Sequence, residues 1–166
     1  TAGLGFGAQE MKMGWRGQPT AQVILDDCQV PSENLLGDEG AGFKYAMMGL
    51  DGGRLNIAAA ALGGAQAALN KALAYTGERK AFGKTIDSFQ SVQFKLADME
   101  TELEAARVFL RQAAWKLDRG ATDATRHCAM AKRFVTDVGF RVANEALQIH
   151  GGYGYLADYG IEKIVR

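Results

Sequence analysis

Residues 32 to 166 of this chain contain no proline, because its only two prolines are Pro19 and Pro31. Proline removes a backbone donor and collides with the preceding helical turn, so its absence over this stretch permits long, uninterrupted helices. Before Pro31 the pattern is different. Thr20, Gln22 and Ile24 alternate with Ala21, Val23 and Leu25 between the turn-forming clusters GWRGQP and DDC, which is the period-two signature of a strand. One or two strands do not stand alone in water. Residues 1–36 are therefore expected to be the last strands of an incomplete antiparallel β domain, and residues 37–166 a helical bundle.

Hydrophobic periodicity divides the second part into helices. From Ala41 to Gly77, Phe43, Met47, Leu50, Ile57, Ala61, Ala65, Ala68, Ala72 and Tyr75 recur at three- and four-residue steps and predict one apolar stripe. A second helix is expected from Asp87 or Ser88 to a stop at Gly120, with Asp87 and Gln90 spaced as in a capping box. Its seam would be Val92, Leu96, Met99, Leu103, Ala106, Leu110, Ala113 and Leu117, the alternating spacing of bundle packing. The third, capped by Thr122 or Asp123, continues through Cys128, Ala131, Val135, Val138, Val142 and Ile149. Three one-sided helices call for a fourth. GIEKIVR would begin it after the loop HGGYGYLADY, and its stop at Arg166, like the start without Met, reads as part of a longer enzyme with the fourth helix truncated.

Composition excludes several function classes. Nineteen basic residues balance nineteen acidic ones with no Lys/Arg run, so neither a nucleic-acid nor an anionic-membrane partner is expected. No apolar run is long enough for membrane insertion. Cys28 and Cys128 lack CxxC or Cys/His spacing, and His127 and His150 have no second ligand at metal spacing, so no metal site is expected and a reducing compartment is the default. Ser32, Ser88 and Ser91 are the only serines and none forms a GxSxG elbow. Glu100, Glu102 and Glu104 read as a solvated face, and no carboxylate pair is singled out for acid–base work.

Three places resist a purely structural reading. Arg54 falls on the stripe between Leu50 and Ile57, and a buried guanidinium needs a partner. Gly52 and Gly53 before it cost about 2 kcal/mol relative to alanine within a helix. Either they let a ligand approach the backbone, or they allow a tight helix crossing beside an Asp51–Arg54 pair. In ERKAFGKTIDSFQ, Arg79, Lys80 and Lys84 surround Phe82 and Gly83. That combination suits a nucleotide, yet the cations could equally complement a helix C-terminus while Phe82 plugs the bundle. In QIHGGYGY, Gly151 is an ordinary helix C-cap or part of an amide nest for a phosphate oxygen, but not a Walker or Rossmann loop.

The run VPSENLLGDEGAGFKYAMMGLDGGRLNIAAAALGGAQAAL, followed by ERKAFGK, SFQSVQFKLADME and QIHGGYGYLADYGIEKIVR, resembles the acyl-CoA dehydrogenase family of flavoproteins. LDGGRLNIA and HGGYGYLADY look most like its short branched-chain members, the isobutyryl-CoA dehydrogenases in particular. The resemblance implies a mainly α fold: the end of a middle β domain over 1–36 and an incomplete C-terminal four-helix domain over 37–166. It implies FAD as cofactor, with Arg79, Phe82, Phe89 and Gln90, and the loop Gln148, Ile149, His150, Gly151 and Gly152 holding the ADP part of a neighbouring subunit's FAD. It gives Asp51, Gly52, Gly53 and Arg54 to the acyl-CoA site. The reaction implied is α,β-dehydrogenation of a short, branched acyl-CoA to the 2-enoyl-CoA. Most of the family takes its base from a Glu in an EGT- or EGS-like segment, here expected beyond Arg166. A minority uses the position occupied here by Gly53, so no residue of this chain is expected to be catalytic. A homotetramer, an electron-transferring flavoprotein as acceptor, and a cytoplasmic (bacterial) or mitochondrial-matrix (eukaryotic) location are further implications. The alternatives are a related flavin-dependent oxidase or monooxygenase, or a non-catalytic helical interaction module.

Overall fold

The computed structural model describes Thr1–Arg166. It divides into two compact units, Thr1–Tyr45 with Arg166, and Ala46–Val165. In the first unit β1 (Leu4–Phe6) pairs antiparallel with β2 (Val23–Leu25), Leu4 opposite Leu25 and Phe6 opposite Val23. The ladder bonds extend past the formal strands, from Gly7 N to Gln22 O and from Glu10 N to Thr20 O. Ladder contacts therefore span the alternating stretch from Thr20, although the strand proper is only its second half. No residue between 1 and 45 is buried. A two-stranded ribbon has no core of its own, so its apolar side chains gain little from this pairing alone.

The second unit is built on three long helices: α1 (Gly42–Glu78, which starts within the first unit), α2 (Gln90–Asp118) and α3 (Ala124–Ile149). A single turn, α4 (Glu162–Val165), stands where the fourth helix is expected to begin. The seams predicted for α2 and α3 are found: Met99, Leu103, Ala106, Leu110 and Ala113 face Cys128, Ala131, Val135, Val138 and Val142 as buried residues. Ion pairs of Lys95 with Glu145 and of Arg141 with Glu102 bridge the same two helices at the surface.

The stripe of α1 differs from expectation. Its buried seam is Ala58, Leu62, Ala65, Leu69, Ala72 and Thr76, flanked by Ala68, whereas Phe43, Met47, Leu50 and Ile57 are exposed. Strict four–three steps keep a seam facing its neighbours, and the drifting set chosen from sequence meets that seam only at Ala65 and Ala72, with Ala68 beside it. The close helix crossing also lies elsewhere. A Cβ on Gly139 of α3 would stand 3.2 Å from the Ala61 carbonyl oxygen of α1, while around Gly52 and Gly53 it would meet nothing within 4 Å. Small residues at Ala61 and Gly139 let these two helices touch backbone to side chain.

Helix starts follow local hydrogen bonds rather than the expected caps. The box between Asp87 and Gln90 does not form. Asp87 Oδ1 accepts from Thr85 Oγ1 at 2.5 Å and its carbonyl accepts from Gln93 Nε2 at 2.9 Å, within a 3₁₀ turn over Ile86–Ser88. Phe89 then occupies the cap of α2 with no side-chain bond. Asp123 precedes α3, but its carboxylate is drawn to Lys116 Nζ at 2.6 Å instead of the helix amides.

Between α1 and α2 the loop is a hairpin. β3 (Lys80–Ala81) pairs with β4 (Lys84–Thr85) across Phe82 and Gly83, whose φ values of 52° and 82° are both positive. A two-residue turn with both centres at positive φ matches the twist of its strands, and glycine meets that demand without strain while phenylalanine does not. After α3, Gly151 takes φ 59° and opens a 3₁₀ helix over Gly151–Tyr155. A second short turn, Ala157–Tyr159, delivers Ile161 into the core at 0% exposure.

Candidate functional site

The hairpin and the glycine loop meet at one end of the bundle. Tyr75, Arg79, Ile86, Ile149, His150, Gly151, Gly152, Tyr153 and Leu156 line a cleft of about 380 Å³. Five residues expected to hold cofactor, Arg79, Ile149, His150, Gly151 and Gly152, are thus brought together from segments about seventy residues apart. Phe82, Phe89, Gln90 and Gln148 do not line it. Phe82 is 96% exposed at the hairpin tip, so it does not plug the bundle. Its ring meets Phe89 edge to face at 6.2 Å, and Lys84 Nζ sits 4.3 Å from the centre of the Phe89 ring. Gln90 and Gln148 are exposed on α2 and α3.

The cleft floor is an aromatic stack that sequence reasoning did not find. The Tyr75 and His150 rings stack at 4.4 Å, and Tyr159 approaches both edge-on. His150 is buried, and its Nδ1 lies 2.7 Å from the Ala146 carbonyl oxygen, a geometry in which Nδ1 carries the proton. The Tyr75 hydroxyl donates to the His150 carbonyl oxygen at 3.3 Å. Burial pushes the Tyr75 phenol above its usual range, with Arg79 opposing in part, so the hydroxyl remains a donor. Above the floor, the Arg79 guanidinium lies 5.0 Å from the centre of the Tyr153 ring, a cation–π contact that favours one position for the charge. The only sequence signal for these partners is the tyrosine content of the glycine loop. The 75-residue separation of Tyr75 from His150 conceals the stack.

This donor set suits an anion. The Arg79 side chain and a glycine pair whose absent Cβ atoms leave open space line the cleft, the start of a 3₁₀ helix falls at Gly151, and no carboxylate lines it. The terminal carbonyls of α3 would repel a phosphate, but Ala146 O is already bonded by the His150 amide as well as Nδ1.

The second candidate centre is on α1. Asp51 Oδ1 accepts from Arg54 Nη1 at 2.5 Å, and its Oδ2 accepts from Thr125 Oγ1 of α3 at 2.6 Å. Arg54 is 34% exposed and therefore no core residue, since the stripe at this level is open, and the Asp51–Arg54 pair is present. Because a Cβ at Gly52 or Gly53 would meet nothing within 4 Å, no tight crossing within this chain explains them. The two centres lie far apart: twenty-four residues of α1 separate Arg54 from Glu78, about 36 Å along the helix.

Comparison with known proteins identifies the family. Residues 40–166 match the family described as "Acyl-CoA dehydrogenase, C-terminal domain". The mitochondrial isobutyryl-CoA dehydrogenase of Bos taurus is 50% identical over 166 residues, all of this chain and 40% of that protein. The caffeyl-CoA reductase–Etf complex subunit CarC of Acetobacterium woodii is 43% identical over 164 residues, 99% of this chain and 43% of its own length. The structure of butyryl-CoA dehydrogenase from Megasphaera elsdenii superposes with a TM-score of 0.95 at 48% identity, over 99% of this chain and 43% of that one. The chain spans about 40% of the length of the bovine relative. With half its residues identical to that relative and the family's C-terminal domain matched from residue 40 onward, this chain belongs to the acyl-CoA dehydrogenase family.

Proposed function

We propose that residues 1–36 are the end of a middle β domain and residues 37–166 the C-terminal helical domain of an FAD-dependent acyl-CoA dehydrogenase. Its substrate is a short, branched acyl-CoA thioester, isobutyryl-CoA first among them, and its product the 2-enoyl-CoA. The observation that carries this reading is the carboxylate-free cleft that Arg79, Gly151 and Gly152 line together. Arg79, held over Tyr153, and the loop amides would bind the diphosphate of FAD, and Phe82, Phe89, Gln90 and Gln148, which lie outside the cleft lining, would be further contacts of the cofactor. When bound, FAD supplies the acceptor for the β hydrogen leaving as hydride.

Asp51, Gly52, Gly53 and Arg54 would line the acyl-CoA site: Asp51 orients the guanidinium, and the bare glycines let substrate lie against the helix. Gly53 offers no carboxylate there, so the α-proton is assigned to a glutamate outside residues 1–166. The two centres stand about 36 Å apart along α1. Each centre would then serve a different active site, with Arg79 reaching a neighbouring subunit's FAD in a homotetramer. The electron acceptor would be an electron-transferring flavoprotein, in keeping with the CarC–Etf relative. No helix is long and apolar enough to cross a membrane, and the enzyme would work in the bacterial cytoplasm or the mitochondrial matrix.

The test is anaerobic reduction of the complete, flavin-loaded protein. Isobutyryl-CoA should bleach the flavin absorbance, with slow return in air and fast return on adding the electron-transferring flavoprotein. Rapid reoxidation by air alone would favour an oxidase, and no bleaching by any short acyl-CoA would refute the dehydrogenase.

A further inference from the structure

We infer that Thr125, in the first turn of α3, is a positioning residue for Arg54: it pins the Asp51 carboxylate so that the guanidinium is presented to the thioester substrate in one orientation. The inference rests on the reading above that Arg54 lines the acyl-CoA site. Both Asp51 oxygens are used, Oδ1 by Arg54 Nη1 at 2.5 Å and Oδ2 by Thr125 Oγ1 at 2.6 Å. The Asp51 side chain is 13% exposed. An ion pair three residues apart on one helix fixes little by itself, because both side chains rotate freely and solvent screens them. A hydroxyl from a second helix changes that. It fixes the carboxylate plane from outside α1, and a charge-assisted hydrogen bond is about twice as strong as a neutral one.

The surroundings support orientation rather than packing as the role. Arg54 donates to Asp51 through Nη1, which leaves the rest of its fork for a carbonyl or phosphate oxygen. Gly52 and Gly53 keep the adjoining helix surface clear. Cys128, one turn along α3 from Thr125, is buried, and burial together with the nearby Asp51 charge pushes its thiol above the usual range. It therefore stays neutral and does not compete with Asp51 for the guanidinium. Nothing in the sequence marks Thr125, which is 74 residues from Asp51.

The experiment compares Thr125→Val, Thr125→Ser, Arg54→Ala and Thr125→Val/Arg54→Ala in the complete, flavin-loaded protein, reading KM and kcat for isobutyryl-CoA, flavin content and melting temperature. Loss of one such bond in Thr125→Val is expected to raise KM roughly five- to ten-fold, with kcat within about two-fold and flavin content unchanged. Thr125→Ser should restore KM, and the double variant should be no worse than Arg54→Ala, as for residues acting through one another. Wild-type KM in Thr125→Val, alongside a raised KM in Arg54→Ala, would overturn the inference and leave the site reading intact. Unchanged kinetics in Arg54→Ala would overturn both. A Thr125→Val effect that appears only as lost flavin or a lowered melting temperature would also overturn it, by showing a structural role.

Discussion

Gly154 sets the geometry of the glycine loop after α3, and replacing it by alanine tests that claim. It is buried in the 3₁₀ helix after α3, where an added Cβ would stand 2.5 Å from the Leu147 carbonyl oxygen, 3.1 Å from Leu147 Cγ and 3.3 Å from His150 Cβ. Ordinary carbon–oxygen contacts begin near 3.3 Å, so loop and helix end must separate by about 0.8 Å. The first obstacle is backbone, which cannot swing aside as a flexible side chain can. Overpacking of this kind costs about 1–3 kcal/mol, which for a chain of this size lowers the melting temperature by about 2–4 °C per kcal/mol. Gly152→Ala is the matched control. The Gly152 Cβ would meet nothing, and its φ is not positive, so stability should be unchanged while the methyl group intrudes on the cleft. Thermal melts followed by circular dichroism, together with the flavin-to-protein absorbance ratio, separate the two variants. Gly154→Ala should lose stability and flavin, and Gly152→Ala flavin alone. A Gly154→Ala protein that melts within about 1 °C of wild type would refute this account of the loop.

Other outcomes follow from the same contacts. At the α1–α3 crossing, Gly139→Ala gains about 1 kcal/mol of helix propensity against a tight 3.2 Å contact with Ala61 O, so urea denaturation should find it near neutral. Gly139→Val has no such offset and should cost about 2 kcal/mol or more. Phe82→Asn removes a 96% exposed ring and relieves a positive φ, so stability should hold or rise while flavin content falls. Lys116 holds the Asp123 carboxyl below its usual range, so the stability this pair adds is complete above the ordinary carboxylate pKa and lost as pH falls through the lowered one. Lys116→Met should flatten that acid limb in a series of melts at different pH.

Much of the bundle was legible because its signals are local. The α2 and α3 seams repeat every three or four residues, and both helices are followed by a glycine at positive φ, Gly120 and Gly151. What sequence could not show depends on contacts between distant segments. The exposure of Leu50 and Ile57 is decided by where α1 meets its partners, not by their spacing. Asp87 looks like a cap until Thr85 captures it, and Asp123 until Lys116 does. Arg79 and the glycine loop were both recognisable as candidates, but their convergence on one cleft was not. Nor were Tyr75 beneath His150, Tyr153 beneath Arg79, or Thr125 across from Asp51.

The first half of α1, from Phe43 to Ile57, is helical with Phe43, Met47, Leu50 and Ile57 in solvent, whereas the half from Ala58 to Thr76 buries one face in the core. The two halves share one hydrogen-bond ladder but not one stability. Amides in the first half open by local fraying, and those in the second require the bundle to come apart. Amide hydrogen exchange should therefore step sharply near Ala58. Burial of Phe43, Met47, Leu50 and Ile57 by another surface would erase the step, which makes this helix a built-in gauge of assembly along its own length.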